Sequence, residues 1–269
     1  MEKSKTIVYT IANQKGGVGK TTLTLNLGIS LSRMGKRVCI IDCDPQANLT
    51  TVLGYNQPIK IAVALPHLMM DLINLDFEIE KSELLQNRQY ILHVNNMDLI
   101  ASNIKLTGVD NMLVTQEIGR ETVIKKIVNY IKDDYDYVLL DTTPSLNIIT
   151  INALNAANSV IIPMQPQFFS VKGLELFLAT FKRVKDNLNP YLEIAGVLIT
   201  MYDNRLTLHK EMTDAISETF KGLRIFNTKI PVSVRVAESQ AKAQSIFDYD
   251  PNGKVAESYT EFTKELINK

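Results

Sequence analysis

One short segment limits the fold of this chain more than any other, the loop Gly16-Gly17-Val18-Gly19-Lys20-Thr21-Thr22. An apolar run precedes this loop, and a stretch with Leu23, Leu27 and Leu31 on one helical face follows it. Glycines allow successive backbone N–H groups to point at phosphate oxygens, and a helix N-terminus adds partial positive charge. The segment therefore predicts a strand, a phosphate-binding loop and a helix, in that order.

The rest of the chain alternates between strand-like and helix-like patterns. Apolar runs of strand length occur at Thr6–Ala12, Arg37–Asp42, Tyr137–Asp141, Ser159–Met164 and Ile194–Thr200. Helical patterns lie near 120–132, 147–156, 171–188 and 206–220, and a last one covers Val255–Ile267. Strands that are apolar at nearly every position are typical of a sheet covered on both faces. The fold class predicted is α/β, a doubly wound and mostly parallel sheet with helices on both faces.

A single domain over residues 1–269, containing the phosphate loop, is the simplest division of the chain, because no repeat, low-complexity tract or Gly/Ser linker interrupts it. The segment from about 55 to 115 is less regular and contains Pro58 and Pro66. We expect it to form a variable helical excursion of the same domain, with one more strand near Tyr90–Val94.

The overall charge excludes binding of nucleic acid by bulk basicity, because 29 basic residues balance 29 acidic ones. Contact with DNA would need a local patch or the pairing of two chains. No apolar run approaches the ~18 residues of a membrane span, and the N-terminus leads directly into the first strand. Cys39 and Cys43 are expected to be two small buried residues. These features predict a cytoplasmic protein.

The loop and three acidic residues predict a site for the phosphates of a nucleotide and for Mg²⁺. Lys20 would reach the β- and γ-phosphates, the Thr21 hydroxyl would ligate Mg²⁺, and Thr22 would contact the α-phosphate. Asp42 ends the second strand, Asp44 lies just past it, and Asp141 ends a later apolar strand. Because carboxyl ends of parallel strands line the ligand crevice, these acids could hold the metal or orient an attacking water.

The loop departs from the standard phosphate-loop pattern in a specific way. Gln14 stands where that pattern has its first glycine, and Lys15 adds a second lysine at the start of the loop. This arrangement resembles the deviant Walker A loop of the ParA/MinD/Soj ATPases. Resemblance to the ParA/Soj partition ATPases runs nearly end to end and includes Asp44–Asn48, Thr150–Leu154, Ser170–Leu174, Thr200–Arg205, Ile230–Pro231, Val234–Ser239 and Tyr249–Pro251.

The resemblance implies roles for individual residues. Lys15 would cross to the nucleotide of a second subunit and act with Lys20 in catalysis, and Asp44 would position the water. Thr21, Asp42 and Asp141 would form the metal site. The loop residues 16–22 and Pro231, which would lie against adenine, would bind ATP. Arg205 and Arg235 would contact DNA, with Lys182, Arg183, Lys210, Lys221, Arg224 and Lys242 as candidate neighbours.

The same resemblance implies the partners: a homodimer with ATP, non-specific double-stranded DNA, and a centromere-binding protein of the ParB type. The location implied is the nucleoid. Slow intrinsic hydrolysis is expected, because no arginine finger is evident near the loop. Two departures affect the details. Thr143 replaces a proline common in the family, and Gln167-Phe168-Phe169 replaces an acid followed by two tyrosines.

Two other functions remain open on the sequence. A membrane-positioned ATPase of the MinD type would require a basic amphipathic C-terminal helix, whereas residues 261–269 mix acids with few bases. A nucleotide-gated DNA-binding regulator with little hydrolysis is also possible. A relative of the nitrogenase iron protein is excluded, because both cysteines precede Asp44 and no later cysteine can hold a cluster.

Overall fold

The computed structural model describes residues 5–168 and 170–268, and within them seven strands form one sheet. The strands are β1 (Ile7–Ile11), β2 (Val38–Cys43), β3 (Ile91–Val94), β4 (Met97–Ile100), β5 (Tyr137–Thr142), β6 (Ser159–Met164) and β7 (Glu193–Ile199). Their order across the sheet is β3-β4-β2-β5-β1-β6-β7. Every neighbouring pair is parallel except β3 and β4. The prediction of a mostly parallel α/β sheet is confirmed.

Helices connect the strands and cover both faces of the sheet. They are α1 (Lys20–Arg33), α2 (Asn48–Val52), α3 (Leu65–Asn74), α4 (Glu83–Asn87), α5 (Leu106–Thr115), α6 (Val123–Ile131), α7 (Ile148–Ala156), α8 (Ser170–Asn187), α9 (Thr207–Thr219), α10 (Val234–Ala241), α11 (Ile246–Tyr249) and α12 (Lys254–Ile267). Residue 169, part of the predicted Gln167-Phe168-Phe169 difference, lies outside the described residues.

Alternate residues of each strand enter two separate hydrophobic cores. In β2, Cys39, Ile41 and Cys43 pack on one face, whereas Val38 and Ile40 pack on the other. This two-sided burial explains why the strands are apolar at nearly every position. Both cysteines are fully buried with free thiols, as expected.

The segment from 55 to 115 contains one strand more than the sequence analysis expects. Residues 97–100 form β4, which pairs antiparallel with β3 and parallel with β2. Asn95 and Asn96 connect the two strands with φ angles of 50° and 57°. Asparagine tolerates this left-handed conformation, which a two-residue hairpin turn requires. The hairpin therefore extends the sheet at its edge, and the excursion is not purely helical.

Strand register brings acidic residues together at the carboxyl end of the sheet. Asp42 of β2 pairs with Asp141 of β5, which also pairs with Ile11 of β1. The loop between β1 and α1 begins just beyond Ile11. The sheet therefore presents the glycine loop and these two carboxylates at one edge, as expected for an open parallel sheet.

The last helix packs its apolar face against the body of the molecule. Val255, Tyr259, Phe262 and Leu266 of α12 are buried, and the helix lies beside α1. Within residues 5–168 and 170–268, no helix combines the length and apolar character needed to cross a bilayer.

The close approach of α1 to the sheet depends on Gly28, and this makes a first prediction. A Cβ at Gly28 would lie 2.6 Å from Cδ1 of Ile40 and 3.0 Å from the sulfur of Met97. Gly28→Val is expected to lower the free energy of unfolding by about 1–3 kcal/mol, because it overfills this packed layer. Equilibrium unfolding in urea measures the change.

Gly108→Val is the matched control. Gly108 also lies in a helix, α5, but it is exposed and a Cβ there would meet nothing within 4 Å. Its unfolding free energy should change by less than about 0.5 kcal/mol, since valine is not a worse helix former than glycine. Equal losses in the two variants would contradict the packing role of Gly28.

Candidate nucleotide-binding site

Two glycines give the loop between β1 and α1 its curvature. Gly17 and Gly19 have φ angles of +73° and +87°, which L side chains rarely adopt. A Cβ at either position would meet nothing within 4 Å, so the space over the loop is open. Helix α1 starts immediately after Gly19, and its first amides have no partner within the helix. The loop and helix start thus form a concave surface suited to phosphate oxygens.

The two lysines of the loop have different surroundings. Lys20 is buried, and its Nζ donates to the carbonyl oxygens of Asn13 and Lys15, each at 3.1 Å. Burial lowers the pKa of Lys20, an effect that Asp141 and Asp44 oppose. Lys15 is half-buried at the rim of the loop, where its Nζ donates to Oε1 of Gln167. The structure therefore places one ammonium group inside the loop and the other at its edge.

Asp141 joins the end of β5 to the start of α1. Its Oδ2 accepts a hydrogen bond from the Thr21 hydroxyl at 2.8 Å, and its Oδ1 accepts one from the Thr24 hydroxyl at 2.9 Å. Burial, together with the nearby charge of Asp42, raises the pKa of Asp141 to about 8. A cation beside this carboxylate would favour its ionised form. Thr21 and Asp141, both predicted metal residues, are therefore in direct contact.

Asp42 is fully buried and its oxygens already accept three hydrogen bonds. One comes from the amide of Asp44 at 3.1 Å, and two come from the amide and hydroxyl of Thr50, at 2.9 and 2.7 Å. Burial raises the pKa of Asp42 to about 6. These contacts fix the turn after β2, and the metal role of Asp42 stays a prediction.

Asp44 lies beside the loop in the same open cavity. Its Oδ1 accepts the amide of Gln46 at 2.9 Å, and its side chain lines a cavity of about 490 Å³. That cavity is bordered by Gly16, Gly17, Gly19, Lys20, Thr21, Thr22, Asp44, Gln46, Asn48, Val52, Thr142, Pro144, Met201 and Gln240. A carboxylate so placed can orient a water molecule against a group held by the loop.

A smaller, more apolar slot of about 190 Å³ adjoins this cavity. Pro231, the predicted adenine contact, lines it together with Ile230, Val232, Val236 and Ala237. Four residues, Gly19, Thr22, Met201 and Gln240, border both spaces. The pair of spaces suits a ligand with an anionic end and a flat apolar end. ATP has this form, and the hydroxyl and carboxylate oxygens of Thr21 and Asp141 suit Mg²⁺.

Several contacts of the site escape the sequence analysis. Thr24 lies three residues after Thr21 on the same helical face, so its spacing could have revealed it. The Asn13 side chain accepts a hydrogen bond from the Lys15 amide through Oδ1 and donates one from Nδ2 to the Pro163 carbonyl. These bonds fix the loop to β6. Gln240 donates to the Thr22 hydroxyl at 2.7 Å from 218 residues away, and no local pattern indicates such a contact.

The two predicted DNA-binding arginines are exposed and are each paired with a carboxylate. The Arg205 guanidinium makes two hydrogen bonds to Asp203, at 2.9 and 2.6 Å, and the backbone amide of Arg205 makes a third at 3.0 Å; together they lower the pKa of that carboxyl to about 2. Arg235 lies 3.2 Å from Glu238 on α10. The segments that carry them meet at a parallel bridge between Tyr202 and Pro231.

The candidate neighbours of these arginines are partly occupied elsewhere. Arg224 donates to the carbonyl of Glu265 and stacks on Phe226, which makes it part of the packing of α12. Lys182 pairs with Asp186 at 2.6 Å. The Lys242 ammonium lies 4.9 Å from the ring centre of Tyr249.

Thr143 stands where the family commonly has a proline. It is buried, and its hydroxyl oxygen accepts a hydrogen bond from the backbone amide of Ser145.

Comparison with known proteins agrees with this arrangement. A family model described as "AAA domain" matches residues 4–194. The chromosome-partitioning ATPase Soj of Treponema pallidum is 38% identical over 269 residues, covering 98% of this chain and 97% of that protein. The sporulation initiation inhibitor protein Soj of Bacillus subtilis is 37% identical over 259 residues, covering 96% of this chain and 97% of that protein.

Two solved structures have the same fold. The cobyrinic acid a,c-diamide synthase of Mycobacterium smegmatis, with bound ATP analogue and magnesium, has a TM-score of 0.80 and 31% identity, covering 96% of this chain and 93% of that one. A putative plasmid partition protein of Borrelia burgdorferi bound to AMPPNP has a TM-score of 0.75 and 27% identity, covering 98% of this chain and 99% of that one. With Soj-like sequence along nearly its whole length, this chain belongs to the ParA/Soj family of partition ATPases.

Proposed function

We propose that this chain is a DNA partition ATPase that binds ATP and Mg²⁺, pairs with a second copy, and binds double-stranded DNA without sequence preference in that state. A centromere-binding partner of the ParB type stimulates hydrolysis, after which the dimer opens and leaves the DNA. The chain works in the cytoplasm, on the nucleoid. Its kinship with the Soj proteins and the combined cavity and slot support this proposal.

The separation of the two loop lysines is the observation that carries the proposal. Lys20 is buried within the loop, so its charge serves the nucleotide of its own chain. Lys15 stands at the rim, and within the described residues the hydrogen bond of its ammonium group goes to the neutral side chain of Gln167. A rim ammonium can reach the phosphates of a second chain facing the loop. Each chain would then supply half of the positive charge that the other needs.

The residues of the cavity divide the work of hydrolysis among them. Lys20 and the loop amides hold the β- and γ-phosphates, and Asp44 orients the water that attacks the terminal phosphorus. Thr21 and Asp141 would hold Mg²⁺, which would supply positive charge to neutralise the phosphates. Among the described residues, no arginine borders the cavity, and a single carboxylate to orient the water suits a slow reaction that waits for a partner.

The packing of α12 favours DNA over a membrane as the surface that the dimer binds. A membrane-binding helix needs a free apolar face. In α12 the apolar residues Val255, Tyr259, Phe262 and Leu266 are buried against the body of the protein. The exposed Arg205 and Arg235 are the groups proposed to contact phosphates of DNA.

Lys15 and Lys20 should differ in what they affect. Lys15→Gln is expected to leave ADP binding within about twofold of the wild type, because Lys20 and the loop remain, yet to lower ATP hydrolysis about 100-fold or more. It should also remove the ATP-dependent dimer. Light scattering with a non-hydrolysable ATP analogue measures the dimer. Lys20→Gln is the contrast and should lose nucleotide binding itself. Normal dimers and turnover in Lys15→Gln would refute the shared site.

Asp44 should affect turnover without affecting assembly. Asp44→Asn keeps an oxygen for the amide of Gln46, so the turn should be preserved while the charge that orients water is lost. We expect hydrolysis to fall by about 100-fold or more and ATP-dependent dimers to persist. Asp133→Asn is the control, since Asp133 is an exposed acid away from the cavity. Single-turnover assays with and without the ParB-type partner measure hydrolysis, and unchanged rates would contradict the role of Asp44.

Arg235 and its carboxylate partner should have opposite effects on DNA binding. Arg235→Ala should weaken DNA binding and leave ATP binding unchanged. The slope of the logarithm of the DNA-binding constant against the logarithm of salt concentration should fall by about one per chain. Glu238→Gln should strengthen DNA binding, because it frees the guanidinium of Arg235 from its pair. Fluorescence anisotropy over a salt series, with ATP, with ADP and without nucleotide, measures both.

Arg37→Ala is the control for the arginine variants. Arg37 is exposed and paired with Asp136 like Arg235 with Glu238, but it precedes β2, at the opposite end of the sheet from the loop. Its DNA affinity should equal that of the wild type. Equal DNA affinity in all three nucleotide states of the wild type would exclude the proposed switch.

A further inference from the structure

The passage between the phosphate cavity and the apolar slot is built from few groups. Gly19, Thr22, Met201 and Gln240 border both spaces. Gln240 on α10 donates from Nε2 to the Thr22 hydroxyl at 2.7 Å. Gln165 donates from its amide nitrogen to the Gly17 carbonyl at 2.8 Å and to the Met201 sulfur at 2.6 Å. Both Met201 and α10 are therefore tied to the loop.

The covalent order of a nucleotide determines which of its parts lies in this passage. A nucleotide with its phosphates on the loop and its base beside Pro231 must have its sugar between the two spaces. The hydroxyl groups of a ribose are hydrogen-bond donors that require an acceptor when they leave water. The passage is therefore the place where the chain can distinguish a ribose from a deoxyribose.

Gln240 is the residue of the passage best equipped to provide that acceptor. Gly19 has no side chain, the Met201 sulfur is a weak acceptor already used by Gln165, and the Thr22 oxygen accepts from Gln240. A carboxamide whose nitrogen is engaged by Thr22 still offers its carbonyl oxygen to a second group.

Other polar side chains nearby reach only one of the two spaces. Gln46 and Asn48 line the phosphate cavity alone, and Ser233 lines the slot alone. The hydroxyl of Ser233 already accepts the amide of Arg235.

We propose that Gln240 binds the sugar of the nucleotide, accepting a hydrogen bond from a ribose hydroxyl, and thereby makes the site selective for ribonucleotides over deoxyribonucleotides. The inference rests on the proposed nucleotide site, and it does not require the dimer, hydrolysis or DNA. Because a carboxamide is neutral, it makes this contact without repelling the phosphates beside it.

The position of Gln240 on α10 strengthens the selectivity. Val236 and Ala237 of the same helix line the slot for the base, so one helix would contact both base and sugar. Ser239 is the buried residue of α10, and most of the helix is exposed. The hydrogen bond from Gln240 to Thr22 is therefore a main attachment of this wall to the phosphate loop.

The experiment compares ADP, 2′-deoxy-ADP and 3′-deoxy-ADP with magnesium by calorimetry, so that neither hydrolysis nor ATP-dependent pairing contributes. The wild type should bind ADP roughly tenfold more tightly than at least one deoxy analogue, as expected for one lost hydrogen bond. Gln240→Met has a similar size but no hydrogen-bonding groups. It should bind ADP roughly tenfold more weakly and bind all three nucleotides with nearly equal affinity.

Two further variants separate the contact from a structural effect. Gln240→Glu keeps an acceptor oxygen beside the sugar but adds a negative charge. It should therefore bind all three nucleotides more weakly than the wild type and keep the preference for ribose. Gln244→Met changes a glutamine just after α10 that lines neither space, and it should match the wild type.

Three results would overturn the inference. Equal affinity of the wild type for all three nucleotides would exclude sugar recognition altogether. A ribose preference that survives in Gln240→Met would assign that recognition to another group. Failure of the wild type to bind ADP would refute the nucleotide site itself, and with it the role of Gln240, which distinguishes this result from the other two.

Discussion

The site depends on one buried carboxylate, that of Asp141, held between the sheet and helix α1. Burying a carboxylate costs several kcal/mol unless hydrogen bonds or charges compensate it. Here the hydroxyls of Thr21 and Thr24 donate to its two oxygens and fix the first turn of α1 against β5. The pKa of about 8 indicates that two hydroxyls compensate the burial only in part. The same contact that positions the loop therefore leaves a carboxylate that a cation would stabilise.

The fixed loop explains why its two lysines cannot be exchanged. Lys20 is enclosed by the carbonyls of Asn13 and Lys15, and this position is available because Gly17 and Gly19 adopt left-handed conformations. Lys15 is excluded from that enclosure and lies at the rim beside Gln167. One ammonium group is thus internal to the loop and the other is peripheral, which is the arrangement that the proposed dimer would use. The proposed pairing of two chains would place this rim ammonium at the partner's phosphates and so complete both sites.

The sequence predicts the parts of this molecule that depend on local patterns. The loop, the buried strands and the acids at strand ends follow from glycine spacing, apolar runs and the chemistry of turns. The strand expected near Tyr90–Val94 is present as β3, whereas β4 escapes, because it has only four residues and its signal is the Asn95–Asn96 turn. The bonds of Gln240 to Thr22 and of Gln165 to Met201 join distant parts of the chain, so they depend on tertiary packing that no local window contains.

The surface charges explain how a neutral chain could bind DNA in one state and not in another. Arg205 and Arg235 are each paired with a carboxylate of their own chain, so a single copy offers little net positive charge there. Exposed ion pairs are weak in water, and phosphates can replace the carboxylates where many contacts form together. Binding then depends on the number of arginines presented at once. A second copy would double that number. Arginines without carboxylate partners would instead let a single copy bind DNA whichever nucleotide is present. The neutral composition and the paired arginines are thus compatible with the nucleotide-dependent DNA affinity proposed for this chain.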